Sequence, residues 1–504
     1  MKLPVSSVAG LAGLVSLASA DGFHKVCRQH STGQHSSAAA SVGGAEQYDA
    51  ASSSVSASAS ASVSGSAPVE AVETAASSAD VSAAVPEASG SVNTDATVET
   101  RATSNSSSDR LVFAHFMLVA DPLDGDYKTE MKLAQSFGVD AFAVNYGGWD
   151  VDFDDQDSRL AKMYKAAEET DFKLFLSLDM TSVTEASMVV DVAKAHASSN
   201  AQLYYNDQLF LSTFIDGKVD SVGFDWQSDV IEKLESDLGK EVFFVPGTTS
   251  TDYESCYDDK AVDGVFSWPH QSTKLSEDKK NDEGFEDTAS YTNKAYMAGI
   301  APWFFKHYSS DMNWGNRQDS DIFVTRFQNL LKMDVDFIEL VTWNDYGESS
   351  YFAEADVDKK NTQWSYLDHT GFREMAKFFI AAFKEDQQDV MKASNIENSV
   401  FMFYRTQPYD SQGSNDDLGP PSDADEEDSI FVVSFLQDEA DITLSNGGED
   451  TTWTAQTGLN MKAVPFKAGS VHLKATVKGD TIADKDGPEI ANQLELTNEN
   501  AVCI

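Results

Sequence analysis

A (β/α)8 barrel (a TIM barrel, α/β class) followed by a C-terminal β-sandwich is the fold this sequence predicts, and three observations carry the prediction. From Arg110 to about residue 386, eight short apolar runs alternate with stretches of helical periodicity. That span is close to the roughly 250 residues usual for such a barrel. Beyond Glu397 the pattern changes to short strands broken by Asn-Gly, Lys-Gly-Asp and Asp-Gly turns.

The chain opens on Lys2, an apolar stretch from Leu11 to Leu17 and the small residues Ala18-Ser-Ala20. That order reads as a signal peptide over residues 1–20 with a mature start at Asp21, which makes the protein a secreted one. From 21 to 108 we expect a Ser/Ala-rich stalk that does not fold: between Ser36 and Ser108 it is almost wholly Ser, Ala, Val, Thr, Gly and a few acids, with too little apolar surface to bury. A plain linker and a glycosylated stalk remain equal readings, and Asn105-Ser-Ser107 is an N-glycosylation sequon. The scattered His24, Cys27, His30 and His35 read as part of the same head rather than a metal tract.

The barrel is expected over 109–390. Its strands are read at Leu111 to Met117, Ala141 to Gly147, Lys173 to Met180, Leu209 to Phe214, Glu241 to Pro246, Gly264 to Trp268, Ala295 to Phe305 and Phe337 to Trp343. Strands apolar at nearly every position belong to a parallel sheet covered on both faces. Between them, spacings such as Leu160, Met163, Tyr164 and Ala167 give one apolar helical face, and Phe372, Met375, Phe379 and Phe383 form a closing helix. An open doubly wound sheet is the rival, but no strand is followed by a Gly-x-Gly-x-x-Gly turn. The sandwich is expected over 391–504, with a solvated acidic loop from Asp410 to Asp428 whose spacing fits no EF-hand.

With 82 acidic against 36 basic residues and a net charge of -46, the chain repels nucleic acid and anionic lipid. No segment reaches the length of apolar sequence that spans a bilayer, and a monomer is expected. Cys27, Cys256 and Cys503 leave room for one disulfide whose pairing the sequence does not choose. No metal or cofactor motif is present, nor a phosphate loop, a zincin helix or a nucleophile elbow.

In a barrel the active site gathers at the carboxyl ends of the strands. There the sequence places His115, Asn145, Asp179, Trp268, Trp303 and then Trp343-Asn-Asp-Tyr-Gly-Glu348. Asp179 ends an apolar strand, where a carboxylate is costly unless paired or used. Asp345 and Glu348 sit three apart around Gly347, which reads equally as an active-site turn or as a helix cap. Carboxylates beside tryptophans suit glycoside hydrolysis: an acid for the leaving oxygen, a base for water, rings for sugar faces. His115 and His307 are candidate partners of sugar or carboxylate.

Several segments also resemble a known family. They are Leu111-Val-Phe-Ala-His-Phe-Met117, Val139-Asp-Ala-Phe-Ala-Val-Asn145, Phe172-Lys-Leu-Phe-Leu-Ser-Leu-Asp-Met180, Phe244-Val-Pro-Gly247, Asp263-Gly-Val-Phe-Ser-Trp268, Tyr296-Met-Ala-Gly-Ile-Ala-Pro-Trp-Phe304 and Thr342-Trp-Asn-Asp-Tyr-Gly-Glu-Ser349. Together they resemble the fungal α-1,3-glucanases, or mutanases, of glycoside hydrolase family 71. The resemblance implies endo-hydrolysis of α-1,3-glucan in a fungal wall, with inversion and without a metal. It maps the family's catalytic acids onto Asp179, Asp345 and Glu348, with Glu348 as acid, Asp345 as base and Asp179 orienting water or sugar, roles that are open to exchange. From their places at and beside the strand ends, His115, Asn145, Trp268, Trp303, His307 and Trp343 are taken as the substrate-binding positions. The chain departs from the family at Pro246-Gly-Thr-Thr-Ser250, at Trp268-Pro-His270 and at Gly315-Asn-Arg-Gln318, where aromatic faces are fewer. A wall-resident glucan-binding protein and a hydrolase of another glucan therefore stand as alternatives.

Overall fold

The computed structural model describes residues 110–118, 126–148, 150–151, 154–214, 223–268, 275–310, 312–315, 322–355, 364, 366–421 and 427–504. The signal peptide, the stalk with its sequon, the early histidines and Cys27 lie outside the described residues.

Eight parallel strands close on themselves: β1 (Leu111–Met117), β2 (Ala141–Tyr146), β3 (Lys173–Asp179), β4 (Gln208–Phe214), β5 (Val242–Thr248), β6 (Gly264–Ser267), β7 (Ala295–Ile300) and β8 (Phe337–Leu340). Each pairs with the next, and β8 returns to β1 through Leu111 opposite Phe337. The helices α1 (Tyr127–Ser136), α2 (Gln156–Thr170), α3 (Ala186–His196), α4 (Glu232–Leu238, entered through a π-helical turn, Trp226–Ile231), α5 (Tyr253–Tyr257), α6 (Leu275–Thr292), α7 (Ile322–Leu330) and α8 (Thr370–Lys384) alternate with them.

The two-residue period of a strand decides what each side chain meets. Phe113, Phe175, Phe210 and Phe337 point into the barrel and pack against one another, with Phe113 in ring contact with the other three at centroid separations of 4.9, 5.4 and 5.6 Å. The intervening Val112, Ala114, Leu174, Leu176, Leu209 and Ile338 face the helices. The same alternation carries His115, Asn145, Asp179 and Glu339 inward above the phenylalanine layer.

The seventh expected strand ends at Ile300 rather than Phe305, because Pro302 has no N–H to continue a ladder. The chain resumes after Phe305 as an antiparallel hairpin, Lys306–Ser309 against Met312–Trp314. The eighth strand stops at Leu340; Trp343 still donates its N–H to the His115 carbonyl at 2.7 Å, but the chain is already turning across the barrel mouth.

The C-terminal part is two four-stranded antiparallel sheets. The first takes β9 (Ser399–Arg405), β10 (Ser429–Leu436), β13 (Gly458–Pro465) and β16 (Ala501–Cys503). The second takes β11 (Ala440–Asn446), β12 (Glu449–Ala455), β14 (Gly469–Val477) and β15 (Asp480–Ile490). Val400, Met402, Ile430 and Val432 face the second sheet, whereas Phe401, Phe403, Phe431 and Phe435 pack on the barrel side, with Phe435 5.0 Å from Phe378 of α8. The first sheet is thus covered on both faces, which is why every residue of β10 is buried. Cys503 is a buried free thiol. Among the described residues no helix is long and apolar enough to cross a membrane, and no group of three or more His, Cys, Asp or Glu is arranged to hold a metal ion.

Candidate active site

The turn after β8 is built around Asp345. Its carboxylate accepts the Glu348 N–H at 3.1 Å and caps the 3-10 turn Tyr346–Glu348, while its own N–H is held by the Thr342 hydroxyl at 2.8 Å. Asn344 takes no part in this cap. It accepts the Met117 N–H at 2.7 Å and donates to the Met117 carbonyl at 3.1 Å, pinning the turn to the end of β1. The cap reading of this motif therefore holds for Asp345, and Glu348 does not reach back to complete a capping box. Gly347 is required for closeness rather than for an unusual φ, since a Cβ there would collide with the Tyr308 hydroxyl.

Glu348 turns instead to Lys306, whose ammonium lies 2.8 Å from Oε1 with side chains only 5% and 11% exposed. Burial works against the Lys306 charge, but Glu348 and, further off, Asp345 hold its pKa above the ordinary lysine value. Asp345 is pushed up to about 7, first by desolvation of its carboxyl and then by the Glu348 charge, with Lys306 and the backbone N–H groups of Glu348 and Gly347 pulling the other way. By surface area Asp345 keeps some exposure at the mouth while its surroundings are dense; the density, rather than the exposed edge, governs its proton affinity. Tyr308 lies beside both acids, and burial together with their charges keeps it a neutral hydroxyl.

At the opposite wall, Asp179 Oδ1 accepts from the Thr181 N–H at 3.0 Å and from its hydroxyl at 2.6 Å. His115 is fully buried, with Nδ1 2.8 Å from Glu339 Oε1 and Nε2 3.3 Å from the Asn145 amide nitrogen. With Nδ1–H donating to the carboxylate, Nε2 accepts from Asn145, and this fixes which way the amide faces. Burial raises the Glu339 pKa, and the His115 hydrogen bond and charge oppose it. Trp268 closes the barrel interior above Phe266, its ring edge-on to Phe214 and His115 at 4.6 and 5.0 Å.

Three expected sugar contacts are placed elsewhere. Trp343 has no exposed surface; it packs on Phe142 on the helix side and donates to Glu130 of α1 at 2.9 Å. Trp303 donates to the Glu499 carbonyl at 2.9 Å and meets Phe403 of the sandwich. His307 is engaged at both nitrogens, by Asn313 Oδ1 at 2.7 Å and by Asp416 Oδ2 at 2.8 Å. Each follows an apolar run but lies beyond the end of its barrel strand, at Ile300 or Leu340, so the strand's alternation does not carry it to the mouth. Likewise Asp416, in the loop expected to be solvated, is docked against the barrel.

The sequence also held signals that went unread. Glu339 within Phe337-Ile-Glu-Leu340 is as costly a carboxylate as Asp179, and Lys306 is a lone cation after Trp303-Phe-Phe305. Tyr308 and Trp364, whose indole donates to the Gly347 carbonyl at 3.3 Å, carry no such local mark.

Among proteins of known name, the chain is 32% identical over 411 residues to the glucan endo-1,3-alpha-glucosidase agn1 of Schizosaccharomyces pombe, spanning 78% of this chain and 94% of that protein. It is 29% identical to a mutanase of Penicillium rubens, over 76% of this chain and 86% of the other. It is 26% identical to the ascus wall endo-1,3-alpha-glucanase of Schizosaccharomyces pombe, over 78% and 95%. The family model described as glycosyl hydrolase family 71 matches residues 108–504, barrel and sandwich together, and by that match the chain belongs to this family of glycoside hydrolases.

Proposed function

We propose that this chain cleaves α-1,3-glucosidic bonds within the α-glucan of a fungal cell wall, by inversion, outside the cell. The observation that carries the reading is the buried pair Asp345 and Glu348, in which one carboxyl holds a proton near neutrality and the other faces an ammonium. The names borne by the three relatives support α-1,3-glucan as the substrate. The residues at the start of the chain support export.

Protonation of the glycosidic oxygen needs a group that still holds its proton at working pH, and water needs a carboxylate to take one. This favours Asp345 as donor to the leaving oxygen and Glu348 as acceptor from water, the reverse of the first assignment. Asp179, held by Thr181, and Asn145, oriented through His115 and Glu339, grip sugar hydroxyls, with Trp268 below them. Lys306 keeps the charge of Glu348 balanced until the sugar ring gains positive charge in the transition state.

The test is reducing-end release from insoluble α-1,3-glucan, with β-1,3- and α-1,4-glucans alongside, for the wild type and for folded Asp345→Asn and Glu348→Gln. Both variants are expected to lose activity. Asp345→Asn should recover on an aryl glycoside whose leaving group needs no proton, and Glu348→Gln should recover with azide. Proton NMR of the first product should show the β-anomer. Binding without release by the wild type would make the protein a wall-binding one, and release from another glucan would change the substrate.

A further inference from the structure

The hairpin after β7 lies between two anchors. Strand alternation puts Lys306 and Tyr308 on one face, toward Asp345 and Glu348, and His307 on the other. On the catalytic side the Phe305 N–H meets the Glu348 carbonyl at 2.9 Å and Lys306 meets its carboxylate. On the far side His307 reaches Asp416 of the sandwich part, and the Asn313 amide donates to the Gly419 carbonyl at 3.0 Å. Asp416 is itself fixed by the N–H groups of Leu418 and Thr497 at 2.9 and 3.1 Å. Its loop is strapped to the C-terminal segment by Ser414 to Leu494 and Asn415 to Glu495 backbone bonds. An isolated two-stranded ribbon is marginal in water, so its position is set by what holds it.

We propose that Asp416 is a positioning residue for the reaction: through His307 it holds the hairpin in the register that sets Lys306 and Tyr308 against the catalytic pair. The sandwich domain then completes the active site rather than serving only as an appended module. The proposal rests on the reading of Asp345 and Glu348 as the catalytic pair. The lowered pKa of Asp416, about 2 despite the opposing effect of burial, fits a carboxylate gripped by Thr497, Leu418 and His307.

The experiment uses the full chain with Asp416→Ala and Asp416→Asn, each alone and with Lys306→Met, measured on a soluble α-1,3-glucan oligosaccharide. Displacement of a positioned group by about 1 Å costs up to about 100-fold in rate, so kcat of Asp416→Ala should fall about 10- to 100-fold with KM nearly constant. The alkaline limb set by Asp345, which Glu348, Lys306 and Tyr308 face, should move upward as the ammonium withdraws. In the Lys306→Met background the Asp416→Ala penalty should shrink to about twofold or less. Asp416→Asn keeps the size and the acceptor oxygen for Leu418, so it carries the same test if Asp416→Ala does not fold. A variant that melts earlier but keeps kcat and the limb, or an equal penalty in both backgrounds, overturns the proposal. Wild-type kcat in Asp345→Asn would instead sink the catalytic assignment.

Discussion

Lys306→Met removes the ammonium that faces Glu348 and Asp345 while leaving most of the side-chain volume. At 2.8 Å and an effective dielectric of about 20, the gross attraction to Glu348 is about 6 kcal/mol. Part of this offsets the cost of burying Lys306, and breaking a buried pair by removing one partner costs about 3–5 kcal/mol net. With roughly 400 folded residues and about 2 cal/mol/K of unfolding entropy each, that is a fall in Tm of about 4–6 °C. The sign of its pH dependence follows from Asp345. Its folded pKa is raised from 3.8 to about 7, so ionising it disfavours the fold, a cost absent below pH 3.8 and complete above about 7. Without Lys306 the folded pair binds its proton more tightly still. The stability lost should therefore be larger at pH 8 than at pH 5, where a proton takes the place of the ammonium, and the alkaline limb of kcat/KM should move above its wild-type position. Urea denaturation at both pH values and a pH–rate profile measure the two effects. Equal stability loss at pH 5 and 8, with an unmoved limb, would refute the coupling.

In the wild type, kcat/KM is expected to fall as pH rises through about 7, because Asp345, the proposed acid, then loses its proton; a profile still rising there would make it the base. Gly347→Ala should lower kcat with little change in KM, since its methyl displaces the Tyr308 hydroxyl, and Tyr308→Phe in the same chain should restore part of the rate. Glu339→Ala should cost about 1–3 kcal/mol in urea denaturation by stranding the buried His115 Nδ1–H, beyond any cavity cost, with Glu339→Gln recovering most of it. Trp343→Phe should lose about 1–3 kcal/mol through the missing donor to Glu130 and leave kcat/KM unchanged; a selective rise in KM would restore the ring to the substrate site.

The eight strands could be read from the sequence because a parallel barrel is covered on both faces, and only long apolar runs satisfy that. Asp179 was singled out for a related reason, since a carboxylate at the end of such a run is costly unless paired or used, whereas Asp345 and Glu348 were marked by their spacing around Gly347 and by the family resemblance. Pairing across the chain was not legible. Lys306 meets Glu348 across 42 positions, His115 meets Glu339 across 224, and His307 meets Asp416 across 109. No local pattern encodes such distances. Trp303, Trp343 and His307 make the complementary point, since each lies beyond the end of its barrel strand, at Ile300 or Leu340, where the strand's alternation no longer decides which way a ring faces. Sequence alone determined the layers and the acidic groups, because burial is a property of each residue's own chemistry. Which acid keeps its proton, and which domain holds the hairpin, depend on charges and dipoles brought within 3 Å by closure of the barrel and docking of the sandwich, and only the tertiary structure decided them.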